Sequence, residues 1–211
     1  MEAAALPHSP VDDHDDHDHH GPPPANRSSR VDPQYLGMLL FIISEIMVFG
    51  AFFTAYFFIR VVNGDPWFPF DDFELPVAVA GVNTAILLSS SLTMHWAQTS
   101  IKNGNRAGLK AGIVLTFLLG LTFLFIQINE YIHIGFAPYD SAQASVFYGL
   151  TGLHGAHVTV GLILLGMANI RAWRDHFTSD PKKHLGVEVP GIYWHFVDVM
   201  WIIVFTTVYI L

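Results

Sequence analysis

The chain has 211 residues, of which 52% are hydrophobic and only 13% charged, with a mean hydropathy of +0.40. Soluble domains carry about 25% charged residues, so a soluble enzyme, a nucleic-acid-binding module and a wholly disordered chain are all disfavoured. Cysteine is absent, which removes disulfides, zinc–thiolate sites and cysteine nucleophiles, and the net charge of −8 is unevenly spread.

Residues 1–33 hold seven acids (Glu2, Asp12, Asp13, Asp15, Asp16, Asp18, Asp32) against Arg27 and Arg30. His8, His14, His17, His19 and His20 lie among them, with Pro22, Pro23 and Pro24. There is no basic start and no apolar run, so this is not a signal peptide. The segment cannot bury enough apolar surface to fold, and it is expected to be a disordered leader rather than a metal-capturing arm.

After Pro33 the composition turns apolar. About 20 apolar residues cross a bilayer core, and five stretches qualify: 35–59, 75–97, 111–129, 142–170 and 189–211. No period-2 alternation suggests a barrel. The expected fold is an all-α membrane protein, a five-helix bundle over residues 34–211. In the first stretch Glu45 costs roughly 2.5–3.5 kcal/mol at mid-membrane. Fourteen Leu, Ile, Phe and Val residues there return about 0.3–0.6 kcal/mol each, so the segment inserts. Nine of the ten basic residues fall on one side: Arg27, Arg30, Lys102, Arg106, Lys110, Arg171, Arg174, Lys182 and Lys183. Only Arg60 falls on the other. This bias puts the amino terminus in the cytoplasm and the carboxyl terminus outside.

Ionisable groups inside apolar spans are costly and therefore informative. Glu45 sits near mid-membrane, either as a proton-linked carboxylate or as a neutral acid locking two helices. His154 and His157 share a helix face at i,i+3, and His195 and Asp198 repeat that spacing. They suit either a metal site between helices or a buried hydrogen-bond network joining the fourth and fifth helices. A di-metal site wants Glu-x-x-His on paired helices, which the chain lacks, so the network is favoured and no metal is expected. Glu130 ends the third span and belongs to the same rare set. Small residues on the fourth helix (Ser141, Ser145, Gly149, Gly152, Ala156, Gly161) read as a packing surface. Tyr193 and Trp194 read as interfacial anchors, and Trp201 as a packing residue. The basic cluster where helices four and five meet the cytoplasm suits either anionic lipid head groups or the topology signal alone.

These residues carry a resemblance. Phe41-Ile42-Ile43-Ser44-Glu45, Asn83-Thr84 with Leu87-Leu88, Gln127-x-x-Glu130-Tyr131, Gly152-Leu153-His154-Gly155-Ala156-His157-Val158 and Tyr193-Trp194-His195-Phe196-Val197-Asp198-Val199-x-Trp201 resemble, in order, successive helices of the cytochrome c oxidase subunit III family. The resemblance spans about residues 35–211. It implies a subunit of a haem–copper terminal oxidase that carries no catalytic residue, no metal and no redox centre of its own. Haem and copper would lie in partner subunits I and II. The chain would contact subunit I directly, bind structural phospholipids, support proton uptake and protect the catalytic site during turnover, in a bacterial plasma membrane. Glu45 takes the place of the family's reactive membrane carboxylate, and the resemblance extends the polar set to Trp194. Arg171, His176 and Glu188 take its lipid-contacting and polar positions. The longer family form has two further helices before the Glu45 helix. Here 33 polar residues stand there instead, so one wall of the family's lipid cleft would come from elsewhere. A subunit of a quinol oxidase, an accessory subunit of a nitric oxide reductase and a small proton-linked transporter are the alternatives.

Overall fold

The computed structural model describes residues 32–64, 76–174, 177 and 181–211, with the helix backbone only for 181–184. The histidine-rich leader, the acidic loop after the first helix and His176 lie outside the described residues. Residues 33–211 form one compact unit of five helices: α1 (Pro33–Asn63), α2 (Val77–Lys102), α3 (Arg106–His133), α4 (Ala142–Trp173) and α5 (Pro181–Phe205), the last continued by a π turn, Thr206–Ile210. No strand occurs among the described residues. Each helix is long and apolar enough to cross a membrane. In hydrocarbon a helix satisfies its own backbone, which is why apolar runs of this length settle as helices.

The helices run beyond the apolar windows into polar flanks such as Arg60 and Lys102. The largest difference is in α5, which begins at Pro181 and carries Pro190 in its interior. A proline is usually a first-turn residue, because it has no backbone donor to give. In a membrane bundle, packed neighbours tolerate one within the helix.

Tight connections set the antiparallel order. Between α2 and α3 the chain turns through Gly104, at φ 75°, and Asn105 then caps α3, its side chain accepting from Gly108 N at 2.9 Å. Between α3 and α4 Gly135 takes φ 86°, and Ser141 caps α4 by accepting from Ala144 N at 3.0 Å. The closest pairing is α2 with α3. A Cβ added at Gly112 would stand 2.7 Å from Ala97 Cβ, and one at Gly108 would stand 2.5 Å from Ser100 Oγ. Gly108 and Gly112 are therefore an i,i+4 small-residue seam that lets the two backbones close up.

The core centres on α5, which touches α2, α4 and α1. Trp194 is wholly buried between two glycines. A Cβ at Gly120 of α3 would lie 2.5 Å from its Cη2, and one at Gly161 of α4 2.8 Å from its Cε3. This corrects the interfacial reading of Tyr193 and Trp194, which are 1% and 0% exposed. Because α5 starts at Pro181, both residues stand about 18 Å along the helix at 1.5 Å per residue, inside the bundle rather than at its rim. Trp201 is packed as expected, edge-on to Phe123 at 4.9 Å between centroids. Of the small residues on α4, Gly149 accommodates Phe52 of α1 and Gly161 accommodates Trp194, while Gly152 faces open space.

Candidate functional site

The polar residues of the spans form several separate links between helices, each with its own partner.

Glu45 of α1 meets His157 of α4, with Oε2 and Nε2 2.9 Å apart. His157 Nδ1 lies 2.8 Å from the Leu153 carbonyl. A carbonyl only accepts, so Nδ1 carries a hydrogen. Nε2 then either donates to an ionised carboxylate or accepts from a protonated one. Both arrangements hold one proton in the Glu45–His157 bond and leave the pair neutral as a whole. Phe49 lies tilted against the imidazole, 5.0 Å between centroids, and Tyr193 donates to the His157 carbonyl at 3.1 Å. The side chains of Glu45 and His157 are 19% and 10% exposed, so this bond lies at the α1–α4 seam.

His195 and Asp198 face α2, not α4. Ser91 Oγ donates its single proton to Asp198 Oδ2. It therefore accepts from His195 Nδ1 at 3.0 Å, which fixes the tautomer. One turn away, Trp194 Nε1 donates to Ser90 Oγ at 2.9 Å. Trp201 Nε1 donates to Thr84 Oγ1 at 2.9 Å. The fifth helix is thus fastened to α2 through three hydroxyls: Thr84, Ser90 and Ser91. The expected network between helices four and five is replaced by this one. An i,i+3 pair tells which residues share a face, but not which neighbour that face meets.

Glu130 accepts from Tyr209 at 2.6 Å through Oε1, tying the end of α3 to the end of α5. His154 is wholly buried and lies tilted against Trp201 at 4.7 Å between centroids, with no hydrogen-bond partner among the described residues for either ring nitrogen. Among the described residues no three His, Asp or Glu side chains come together as metal ligands.

At the end of the bundle where α1, α3 and α5 begin, Glu188 accepts from Tyr35 of α1 and lies 3.0 Å from Lys102 Nζ of α2. It ties three helices together. Arg171 sits over the Phe177 ring at 5.6 Å and lines an open cavity of about 240 Å³ with Gln34, Leu164, Gly186 and Val189. At the opposite end Arg60 donates to Tyr56 at 3.0 Å and to the Leu211 carbonyl, and Tyr56 donates to the Thr207 carbonyl at 2.8 Å.

Sequence reading singled out Glu45, Glu130, His154, His157, Trp194, His195 and Asp198. It missed the partners: Thr84, Ser90, Ser91, Tyr56 and Tyr209. The run Ser89-Ser90-Ser91 inside an apolar span was the available signal, because buried hydroxyls need partners.

Comparison with known proteins gives the arrangement its family. The family model described as cytochrome c oxidase subunit III matches residues 29–211. The chain is 41% identical over 191 residues to a probable cytochrome c oxidase subunit 3 of Rickettsia felis, covering 83% of this chain and 67% of that protein. It is 40% identical to the cytochrome c oxidase subunit 3 of Synechocystis sp., covering 92% of this chain and 79% of that one. With the subunit 3 of Rattus norvegicus it shares 38%, over 82% of this chain and 67% of that one. A match over the whole bundle, from the Glu45 helix to the last residue, places this chain in the cytochrome c oxidase subunit III family.

Proposed function

We propose that the chain serves as a subunit without a redox centre in a proton-pumping haem–copper oxidase, where it stabilises subunit I, holds phospholipid and supports proton uptake. The observation that carries this reading is the family match across all five helices. A subunit of such an oxidase works in a complex with the other oxidase subunits. The use of the intramembrane residues supports the finer role: Glu45, Glu130, Asp198, His157 and His195 are engaged in bonds between helices. Haem and copper then belong to subunits I and II.

In this reading Glu45 is the membrane carboxylate that moves or stores a proton, and its bond to His157 is the place where that proton resides. Arg171 presents its guanidinium to a lipid phosphate at the mouth of the cavity beside α1, α4 and α5. The exposed apolar face of α1, with Leu36, Leu39, Leu40, Ile43 and Met47, forms one wall of a lipid-filled cleft whose other wall is supplied by a neighbour. The amino terminus is cytoplasmic and the membrane is the bacterial plasma membrane. Lys102, Arg106, Lys110, Arg171 and Arg174 stand at the bundle end that this orientation puts in the cytoplasm, in keeping with the charge rule.

Purification of the native complex through this chain in mild detergent tests the reading. A reduced-minus-oxidised haem spectrum should appear, with oxygen uptake from reduced cytochrome c. Uptake from quinol alone would move the chain to a quinol oxidase. A colourless lone chain from well-expressing membranes would contradict the oxidase role. Arg171→Ala should lower the phospholipid retained by the complex and hasten inactivation during turnover, and equal lipid content by mass spectrometry would remove Arg171 from the lipid site. The absence of cysteine makes orientation simple to read. Asn103→Cys should react with an impermeant thiol reagent only after the cytoplasmic face is opened, and Tyr139→Cys should react from outside.

A further inference from the structure

Among the described residues, one group of buried polar atoms has no partner within hydrogen-bond geometry: Asn83 Oδ1, both amide atoms of Gln127 (which lies beside the Tyr209 hydroxyl), Glu130 Oε2 and both ring nitrogens of His154. Their residues are 0%, 2%, 6% and 0% exposed, respectively. They are also neighbours. Gln127 and Glu130 share a face of α3 at i,i+3. Asn83 donates from Nδ2 to the Phe123 carbonyl at 3.2 Å, one turn before Gln127. His154 stands edge-on to the Phe123 ring at 5.7 Å. The residues that carry the unmet atoms are ranged beside one face of α3, from Glu130 near the helix end to the level of Phe123.

Buried polar atoms in folded proteins are almost always paired, and hydrocarbon supplies no partner from outside. The set mixes donors and acceptors. Gln127 Nε2 and one His154 nitrogen donate, while Asn83 Oδ1, Gln127 Oε1 and the second His154 nitrogen accept. A bare cation would satisfy only the acceptors. Water both donates and accepts, so it matches the whole set. There is also an entrance. Glu130 lines an open cavity of about 280 Å³ together with Val79, Asn129 and His133, where one water occupies about 30 Å³ of liquid volume.

We propose that Asn83, Gln127, Glu130 and His154 bind a chain of ordered water molecules that enters through the cavity at Glu130 and reaches the level of Phe123. The site is distinct from the Glu45–His157 bond and stands whether or not the oxidase role does.

Gln127→Met in a Tyr209→Phe background tests it, because the Tyr209 hydroxyl is a protein group beside Gln127 and is absent from that background. There the near-isosteric change deletes bonds to the ligand, and the Tyr209 contact stays out of the comparison. In the assembled complex carrying the full chain, a hydrated site predicts a lower melting temperature for the variant than for its background. A dry site predicts an unchanged or higher one, since two unmet polar atoms have been removed, and that result would overturn the proposal. High-resolution electron cryomicroscopy of the unmodified complex gives the second reading. Separate peaks within hydrogen-bond reach of Gln127 and Glu130 support the water chain. No density, or one peak ringed by oxygens at metal–oxygen distances, overturns it. Should the variant fail to assemble, or the two readings differ, the density decides.

Discussion

Helix α1 buries only Phe49 and Tyr56 of its 31 residues, whereas α5 keeps Trp194, Val197, Asp198, Trp201 and Val204 out of reach of any solvent or lipid. In the most apolar window of each helix, 6% of α1 is buried against 56% of α5. Both are long and apolar enough to cross a membrane, yet α5 is held by close packing together with its bonds to α2, and α1 mainly by a few directed bonds. Lipid tails are as apolar as leucine, so exposed apolar side chains give α1 no hydrophobic reason to stay. Its attachments are the Glu45–His157 bond, the Tyr35 hydroxyl on Glu188, Tyr56 on the Thr207 carbonyl, Arg60 on the last carbonyl, and Phe52 against Gly149. A helix attached in this way is the one whose position a partner or a change of protonation can adjust.

The comparison yields a graded series of effects. The largest belongs to α5. Gly120→Leu would drive a side chain into the Trp194 ring, which Gly161 backs from the other side, and should cost about 3 kcal/mol in thermal unfolding. A loss under about 1 kcal/mol would show that the Trp194 packing is looser than described. Next comes α1. Glu45→Ala leaves the Nε2 of His157 without its partner and should cost about 1–2 kcal/mol, read as easier release of α1 to limited proteolysis. Glu45→Gln keeps a hydrogen-bonding group and should leave assembly intact. Loss of the complex would make the carboxylate itself structural. Tyr209→Phe removes the donor to Glu130 Oε1 and should cost about 1 kcal/mol. The smallest effect is expected at Met47, 73% exposed on α1, where Met47→Ala should stay within about 0.5 kcal/mol. A larger effect there would reveal a tight partner on that face.

Much of this contrast was legible in the sequence. Five apolar stretches predict five helices because the bilayer fixes the length a span needs. Glu45, His154, His157, His195 and Asp198 stood out because ionisable groups are rare in such stretches. What the sequence did not carry was pairing. Glu45 and His157 are 112 positions apart, and nothing local announces that α1 lies on α4. The i,i+3 spacing of His195 and Asp198 defines a face, but the face turned toward α2 depends on the glycines at 120 and 161 that seat Trp194. The start of α5 was hidden by Pro190, whose usual place is a first turn. That one displacement also made Tyr193 and Trp194 look interfacial.

The most direct test of bond-held attachment is a double-mutant cycle on Glu45→Ala and His157→Phe, read by thermal unfolding of the chain. If this bond fastens α1 to α4, the two single losses should exceed the double loss by roughly 1 kcal/mol, within the range of membrane hydrogen bonds. Simple additivity would contradict the account, and would mean that α1 is held by packing alone.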